Sequence, residues 1–316
     1  MQTFWPEGET APWMIAGRAR DIYTPIGSGQ AQVLDTADID ARMSTERRIV
    51  ALGGSNHRET LAGFVGLSPG GQLRKAMAAQ IPEEAEQNSL LHRLLDDMAG
   101  ATFMSMSGWY DWQEAGHVKV GFQQPVVGVC ISFSPGSEAL TPEGFNNEAI
   151  ADHPFFPPPF SGVDPIEWHE FAATPGPNAW RLRRTDMHRS DGQLVVDAWF
   201  QDSSVLPGRS DMRRIFHEYS IRATFDDDSM LRLRSVDVTP RVLPFRTCLA
   251  APDTARALVG RSALEFRGLV VELLAGTSGC THLNDMLRSL QDVAAIAARL
   301  RVADSVGAVS LPSIAG

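Results

Sequence analysis

The chain has few cysteines, no long apolar run and no nucleotide-binding glycine motif, and each absence excludes a class of protein. Cys130, Cys248 and Cys280 are far apart and form no CxxC pair, which predicts free thiols rather than a disulfide framework. No segment approaches the ~20 consecutive apolar residues that a membrane helix needs, so no membrane association is expected. GLSPGG at 66–71 lacks the lysine of a phosphate-binding loop, and no GxGxxG is present. We therefore expect no nucleotide cofactor.

Charge and the N-terminal sequence limit the partners and the compartment. The formal net charge of -10 disfavours nucleic acid as a partner, because such affinity comes largely from neutralised phosphates. The basic run RLRRTDMHR at 181–189 is interpreted as a solvated strand face. MQTFWPEGETAPW has two early glutamates and no basic segment followed by an apolar one, so it does not predict a secretory signal. We expect a cytoplasmic protein, with a homo-oligomer left open.

Four matches in the same order indicate an internal duplication. ETLAGFVG at 59–66 resembles DTARALVG at 253–260, and a basic amphipathic stretch follows each of them. Each half then has a leucine-rich helix, SLLHRLLDDM in the first and THLNDMLRSL in the second. Upstream, 18–30 aligns with 181–193. The sequence thus predicts two similar halves related by a pseudo-two-fold axis.

Hydrophobic periodicity predicts an α+β fold in which antiparallel strands precede helices in each half. The segments 192–200, 218–225 and 230–238 alternate apolar and polar residues, and turn residues such as Asp-Gly bound them. Leu283, Met286, Leu287 and Leu290 form a helical stripe that predicts a core-facing helix. A proline-rich linker at 145–177 separates an N-terminal half, 1–144, from a C-terminal half, 178–316, which has the candidate site.

The stretch GTSGCTH, residues 276–282, is the strongest candidate site. Glycines before a helix let several backbone N–H groups turn towards one point, and the helix start adds a partial positive charge. This arrangement predicts binding of an anion or a developing oxyanion by Gly276, Ser278, Gly279 and Thr281, with Cys248 nearby. Cys280 should favour its thiolate there. In the alternative interpretation, Ser278 or Thr281 caps the helix, Cys280 packs as a small apolar group and His282 bonds a nearby carbonyl.

Two histidines and Cys280 are the candidate catalytic residues. His282 is predicted to be a neutral imidazole that moves a proton, and His217, at the start of a strand, to orient it or share the proton. The first half has no equivalents, which predicts that the site belongs to the C-terminal half. His217, Cys248, Cys280 and His282 are also a conceivable zinc set, but CxH is an unusual spacing and no second close pair exists. We therefore expect no metal.

The C-terminal half resembles a bacterial family of domains of unknown function, DUF2889. The resemblance covers about residues 178–300 and departs from the family pattern by lacking a cysteine and aromatic residues near Met187 and by adding a long N-terminal half. It implies a related fold and a site, but not a reaction. The matching features, in chain order, are an arginine-rich start, Asp191-Gly192, His217-Glu218, Cys248, Leu258 to Gly260 and the box Gly279-Cys280-Thr281-His282-Leu283.

These residues predict a cofactor-independent acid-base enzyme of the hydratase, isomerase or lyase kind. Its substrate would be a small, largely apolar carbonyl or hydroxylated compound, because the chain has many Phe, Trp and Met residues and no nucleotide motif. A hydrolase with Cys280 as nucleophile is the first alternative. A non-catalytic binding or assembly protein, in which GTSGCTH merely terminates a loop, is the second.

Overall fold

One antiparallel sheet runs through both halves of the chain. A computed structural model describes residues 1–8, 11–25, 31–54, 61–114, 127–142, 144–146, 149–150, 154–156 and 169–306. The strands are β1 (Gln2–Phe4), β2 (Trp13–Tyr23), β3 (Gln32–Met43), β4 (Ile49–Gly53), β5 (Leu140–Thr141), β6 (Gly144–Phe145), β7 (Phe155–Phe156), β8 (Asn178–Ser190), β9 (Gln193–Leu206), β10 (Arg209–Asp226) and β11 (Leu233–Val242). Eight strands of the main sheet follow the order β11-β10-β9-β8-β1-β2-β3-β4, and β7 pairs with β10 as well.

The helices follow the strands in each half, so the predicted α+β class is confirmed. The α-helix α3 (Leu90–Met104) contacts β2, β3, β8 and α7 (Thr281–Ser289), and it thereby joins the two halves on one face of the sheet. Short 3-10 turns connect several of the helices. The α-helices are α1 (Gly71–Gln80), α2 (Pro82–Glu86), α3 (Leu90–Met104), α4 (Tyr110–Glu114), α5 (Ala251–Thr254), α6 (Phe266–Leu273), α7 (Thr281–Ser289) and α8 (Val293–Val306).

Tight turns set the register of the long strands in the C-terminal half. Asp191 and Gly192 have φ angles of 51° and 75°, and they join β8 to β9 as a two-residue turn between Ser190 and Gln193. Positive φ at both central residues suits the right-handed twist of a hairpin, which explains Asp-Gly at this point. The strands extend further than the alternation predicted, since β10 alone reaches from Arg209 to Asp226.

Each half has its own hydrophobic cluster beneath the helices. In the C-terminal half, alternate residues of β9 and β10, such as Phe200 and Tyr219, pack against α6, α7 and α8. The predicted stripe that includes Leu283 and Leu290 is fully buried there. In the N-terminal half, residues of β2 and β3 pack against α3.

The two halves show matching local features. The strand order is mirrored about the β8–β1 pair. The N–H of Gly66 donates to the carbonyl of Ile49 at the start of β4, and that of Gly260 donates to Leu233 at the start of β11. The sheet is continuous across the predicted boundary, and much of the predicted linker 145–177 lies outside the described residues, as do residues 26–30 of the 18–30 alignment. No helix in the described ranges is both long and apolar enough to cross a membrane.

The basic run 181–189 corrects one expectation. It forms strand β8 as predicted, but Arg181 is not solvated, because only 3% of its surface is exposed. Its guanidinium lies between the sheet and α3, where it meets Asp97, Asp202 and Asp285. A glycine in α3, Gly100, leaves the space that this guanidinium occupies, and a Cβ there would also lie 2.6 Å from an oxygen of Asp285.

Replacing Gly100 by alanine should therefore destabilise the protein, although alanine ordinarily favours a helix by up to ~1 kcal/mol. The added methyl group displaces a buried guanidinium from its carboxylates, and overpacking of this kind typically costs ~1–3 kcal/mol. The free energy of unfolding, measured by urea denaturation, reports the loss.

Gly268→Ala in α6 is the matched control, since nothing lies within 4 Å of a Cβ at that position. It should be neutral or mildly stabilising. Equal stability of the Gly100→Ala and wild-type proteins would show that the Arg181 cluster can move aside.

Candidate functional site

His217 and Asp202 are cross-strand neighbours on the helix-covered face of the sheet. Asp202 in β9 is paired with His217 in β10, and a register shift lies between Ile215 and His217. Asp202 continues the alternating buried positions of β9 that precede it, such as Phe200. The strand pairing therefore places an imidazole and a carboxylate side by side inside the protein.

His282 lies on the first turn of α7 and stacks on His217. The two ring centroids are 3.5 Å apart, and the ring planes differ by 16°. Both side chains are buried, and Phe103 of α3 contacts the His282 ring with centroids 5.9 Å apart. The structure thus brings together two predicted catalytic histidines that are 65 positions apart in the sequence (282 minus 217).

Four groups surround the ring nitrogens of His282. Nε2 lies 2.9 Å from Met104 Sδ and 3.8 Å from a carboxylate oxygen of Asp202. Nδ1 lies 3.4 Å from Thr281 Oγ1 and 3.9 Å from Cys280 Sγ. A thioether can only accept a hydrogen bond, so the contact with Met104 favours the tautomer with the proton on Nε2. Nδ1 then has a lone pair available for a proton.

Arg181 holds Asp202 in place. Its Nε and Nη2 each donate to one carboxylate oxygen of Asp202 at 3.0 Å. Burial alone would lower the pKa of Arg181, but the attraction of Asp202, Asp97 and Asp285 outweighs it and raises the pKa. Burial also raises the pKa of Asp202, although Arg181 opposes that shift. The pair therefore fixes the carboxylate next to the histidines, although the desolvation of two buried charges costs free energy.

Burial lowers the pKa of His282 well below its ordinary value, and the positive charge of Arg181 lowers it further. The ring is therefore neutral near pH 7. Asp202 adds little attraction for a proton on His282, because Arg181 already pairs with both of its oxygens.

Cys280 does not behave as the sequence predicted. It is the N-cap residue of α7, where the helix field would favour a thiolate, but only 2% of its surface is exposed. Burial raises its pKa, and the hydrogen bond from the Tyr219 hydroxyl, at 3.5 Å, offsets this only in part. A neutral thiol follows, so a nucleophilic role for Cys280 loses its physical basis.

The glycine turn also differs from a preorganised anion site. The N–H of Ser278 donates to the carbonyl of Ala275, and the N–H of Gly279 donates to that of Gly276. These two donors are therefore already used within the turn. The alternative caps are not formed either, because Cys280 occupies the N-cap position and Thr281 is the first helical residue.

Cys248 lies apart from the histidines, in a small cluster of its own. Its Sγ is 2.8 Å from Ser132 Oγ, and Phe245 and Ala139 pack beside it. Burial raises its pKa to about 12. All three cysteines are free thiols, as predicted.

A cavity of about 250 Å³ opens beside His282. Helices α3, α6 and α7 supply its walls, so it lies between the two halves rather than inside the C-terminal half alone. Gly276 and Thr281 line it, whereas Ser278 and Gly279 do not. A larger, open depression of about 630 Å³ near Arg246 is lined by none of the predicted site residues. Other wall residues of the smaller cavity are Phe103, Arg181, Val270, Asp285 and Arg288.

Asp202, His217 and His282 could be considered as metal ligands, since their ligand atoms lie within 4.8 Å of one another. Two features oppose a metal in this arrangement. A metal binds in the plane of an imidazole at ~2.1 Å, and two nearly parallel planes 3.5 Å apart share no such point. Both oxygens of Asp202 also accept hydrogen bonds from Arg181.

Sequence reasoning missed Asp202, Arg181 and the residues that α3 contributes. One signal for Asp202 was present, because it occupies an inward position in the alternation Leu194, Val196, Ala198, Phe200. A charged residue at a core position usually has a partner or a function. Phe103 and Met104 had no comparable signal, since they belong to the other half of the chain.

The family resemblance is confirmed by the comparison with known proteins. Residues 180–296 match the family described as a protein of unknown function, DUF2889. No curated protein and no solved structure matches the chain. The matched segment includes Arg181, Asp202, His217, Cys280 and His282, whereas Phe103 and Met104 lie outside it.

The three cysteines should react slowly with iodoacetamide in the folded protein. Burial raises the pKa of each thiol, to about 11 for Cys130 and about 12 for Cys248. Mass spectrometry should show little labelling at pH 7.5 until urea is added, after which all three label. Rapid and selective labelling of Cys280 in the folded protein would contradict this and revive the nucleophile.

The stability of the protein should fall as the pH is lowered from 7 to 5. Burial lowers the pKa of His92 to about 4 and lowers that of His282 as well, whereas the unfolded chain takes up these protons near pH 6.5. The contribution of these histidines to the free energy of unfolding is therefore fully present above pH 6.5, and it is lost as the pH falls towards their pKa in the folded protein. For His92 the loss between pH 7 and 5 is about 2 kcal/mol. Urea denaturation of His92→Gln should show a correspondingly smaller loss. His188→Gln, on an exposed part of β8, is the matched control for the substitution.

Proposed function

We propose that this chain, whose residues 180–296 match the DUF2889 family, is a cofactor-independent acid-base enzyme of the hydratase, isomerase or lyase kind. Its substrate would be a small, largely apolar carbonyl or hydroxylated compound. The observation that carries the proposal is the buried stack of His217 on His282, beside Asp202 and at the wall of a cavity. Titratable groups with strongly shifted pKa values next to a cavity are typical of catalytic sites.

In this proposal Nδ1 of His282 accepts the proton. The preferred tautomer leaves a lone pair on Nδ1, and the neighbouring Thr281 lines the cavity. The proton leaves a carbon or oxygen of the substrate, stays on Nδ1 while charge develops, and returns to the product. A base with a lowered pKa gives up such a proton readily.

His217 would act by holding the ring of His282. The two rings touch face to face, so no direct N–H···N hydrogen bond joins them through the stack. A positive charge on one ring also disfavours a charge on the other at this distance. His217 therefore orients the base and limits the pair to one proton at a time.

The cavity supports a small and mostly apolar substrate. Its volume of about 250 Å³ is below the ~300–1,000 Å³ typical of drug-sized ligands. Phe103, Val270 and Val271 give it apolar walls. Support for a Cys280 nucleophile is weaker, because burial raises the pKa of that thiol.

We also propose that the two halves arose by duplication and are related by a pseudo-two-fold axis. The mirrored strand order and the matching contacts of Gly66 and Gly260 support this. In that order β9 corresponds to β2, rather than β8 to β2 as the alignment of 18–30 with 181–193 had it. One half would then supply the histidines and the other the cavity wall at Phe103.

A non-catalytic binding protein is the second candidate, because only 6% of the surface of His282 is exposed. Such deep burial is also compatible with a structural histidine. A cavity that binds compounds without exchanging their protons would favour this candidate.

His282→Gln should lower turnover by about 100- to 10,000-fold, the usual contribution of a positioned acid or base. The measurement is NMR detection of deuterium incorporation into a panel of small ketones, enones and hydroxy compounds in D₂O. The exposed variant His188→Gln should retain the wild-type rate.

Equal exchange rates for His282→Gln and the wild type, with both proteins folded, would contradict the assignment. Elemental analysis of protein purified without chelator completes the test. One equivalent of zinc per chain that is lost in His282→Gln would replace acid-base chemistry by metal chemistry.

A further inference from the structure

One side of the cavity beside His282 is cationic. Arg74, Arg181 and Arg288 line it, and Asp285 is the one carboxylate residue among its wall residues within the described ranges. One carboxylate oxygen of Asp285 pairs with Arg181 at 2.8 Å, and the other lies 3.9 Å from Arg74. Within the described residues, no ion pair joins Arg288 to Asp285. The wall therefore has more positive than negative side chains at the Arg74 and Arg288 end.

Three arginines share the carboxylate of Asp96, next to this end of the cavity. Asp96 in α3 pairs with Arg74 at 2.6 Å, with Arg288 at 2.9 Å and with Arg267 at 3.4 Å. Arg267 has a second partner in Asp292, but Arg74 and Arg288 depend mainly on Asp96. Burial lowers the pKa of Arg288, and the attraction of Asp96 and Asp285 offsets this shift only in part. Its positive charge is therefore only partly balanced by the protein.

Two polar atoms on the cavity-lining face of α7 have no hydrogen-bond partner within the described part of the chain. They are Nε of Arg288, a donor, and Oδ1 of Asn284, an acceptor. The side chain of Arg288 is 8% exposed. Buried groups of this kind normally find a partner, because leaving one unpaired costs ~1–3 kcal/mol. The two residues are four positions apart, so they share one face of the helix.

The cavity also has apolar wall residues, which lead to the proposed base. They are Phe103, Val270 and Val271, and Phe103 contacts the His282 ring. His282 and Arg288 are six residues apart on α7, which separates their backbones by about 9 Å along the helix axis. A short carbon chain spans this separation once the two side chains are included.

We propose that the cavity binds a small carboxylic acid, with its carboxylate on Arg288 and Arg74 and its carbon chain against Phe103 and Val270. A carboxylate accepts strong, charge-assisted hydrogen bonds from guanidinium groups. The inference rests on the proposed function only for the role of His282 at the far end of the ligand's carbon chain. The binding of the carboxylate does not depend on that function.

Hexanoate and hexan-1-ol are suitable probes, since they share a six-carbon chain and differ in the terminal group. Isothermal titration calorimetry should give the wild-type protein a Kd for hexanoate at least tenfold lower than that for hexan-1-ol. Arg288→Gln should abolish this preference. Arg256→Gln, at an exposed surface arginine paired with Asp253, is the matched control and should retain it.

A second variant keeps the test decisive if Arg288→Gln unfolds. Arg74 is more exposed than Arg288, with 31% of its side chain accessible, so Arg74→Gln is expected to fold and to lower the preference for hexanoate several-fold. Thermal unfolding of each variant verifies folding. Equal affinity of the wild type for hexanoate and hexan-1-ol overturns the inference, and so does an undiminished preference in the folded arginine variants.

His282→Gln separates this inference from the proposed function. The variant should keep its preference for hexanoate over hexan-1-ol while it loses proton exchange. A wild-type protein that shows no preference for hexanoate but still exchanges protons of neutral compounds would refute the carboxylate site alone. A wild-type protein that prefers hexanoate but exchanges no protons would refute the acid-base function alone.

Discussion

The buried guanidinium of Arg181 is the interaction on which the rest of the structure depends. It reaches from β8 to Asp202 in β9, to Asp97 in α3 and to Asp285 in α7. These carboxylates belong to both halves of the chain, so one side chain ties the sheet to two helices. A charge so far from water is tolerated only when its partners are well placed, and removing one of them leaves an uncompensated ion. The space at Gly100 is part of the same constraint.

The same interaction defines the chemistry of the candidate site. Arg181 fixes Asp202 beside the stacked His217 and His282, but it also uses both carboxylate oxygens. The carboxylate is therefore a weak attractor for a proton on His282, and burial keeps that ring neutral. A neutral ring with its Nε2 proton towards Met104 has its basic lone pair on Nδ1, beside Thr281 and Cys280. The balance among these buried charges, rather than the helix start at Cys280, sets the properties of the site.

A second group of buried ion pairs gives the cavity its polarity. Asp96 serves three arginines, one from α1 and two from the C-terminal half. This group fastens α3 to α6 and α7, so the cavity between these helices has walls held by charge on one side and by apolar packing on the other. An incompletely balanced arginine in such a wall, Arg288, is costly for folding alone. A bound anion would supply the missing partner.

Local sequence determined the strands, the Asp191-Gly192 turn and the buried stripe of α7, because periodicity and turn conformation depend on near neighbours. It also identified His217 and His282 as the unusual titratable residues of the C-terminal half. Only the tertiary structure decided that β9 brings Asp202 to His217, that Phe103 comes from the other half, and that Cys280 stays a thiol. Burial and long-range charge govern these last properties, and neither is a function of residues close in sequence. A helix start predicts a field at Cys280, but the depth at which the helix packs decides whether desolvation outweighs it.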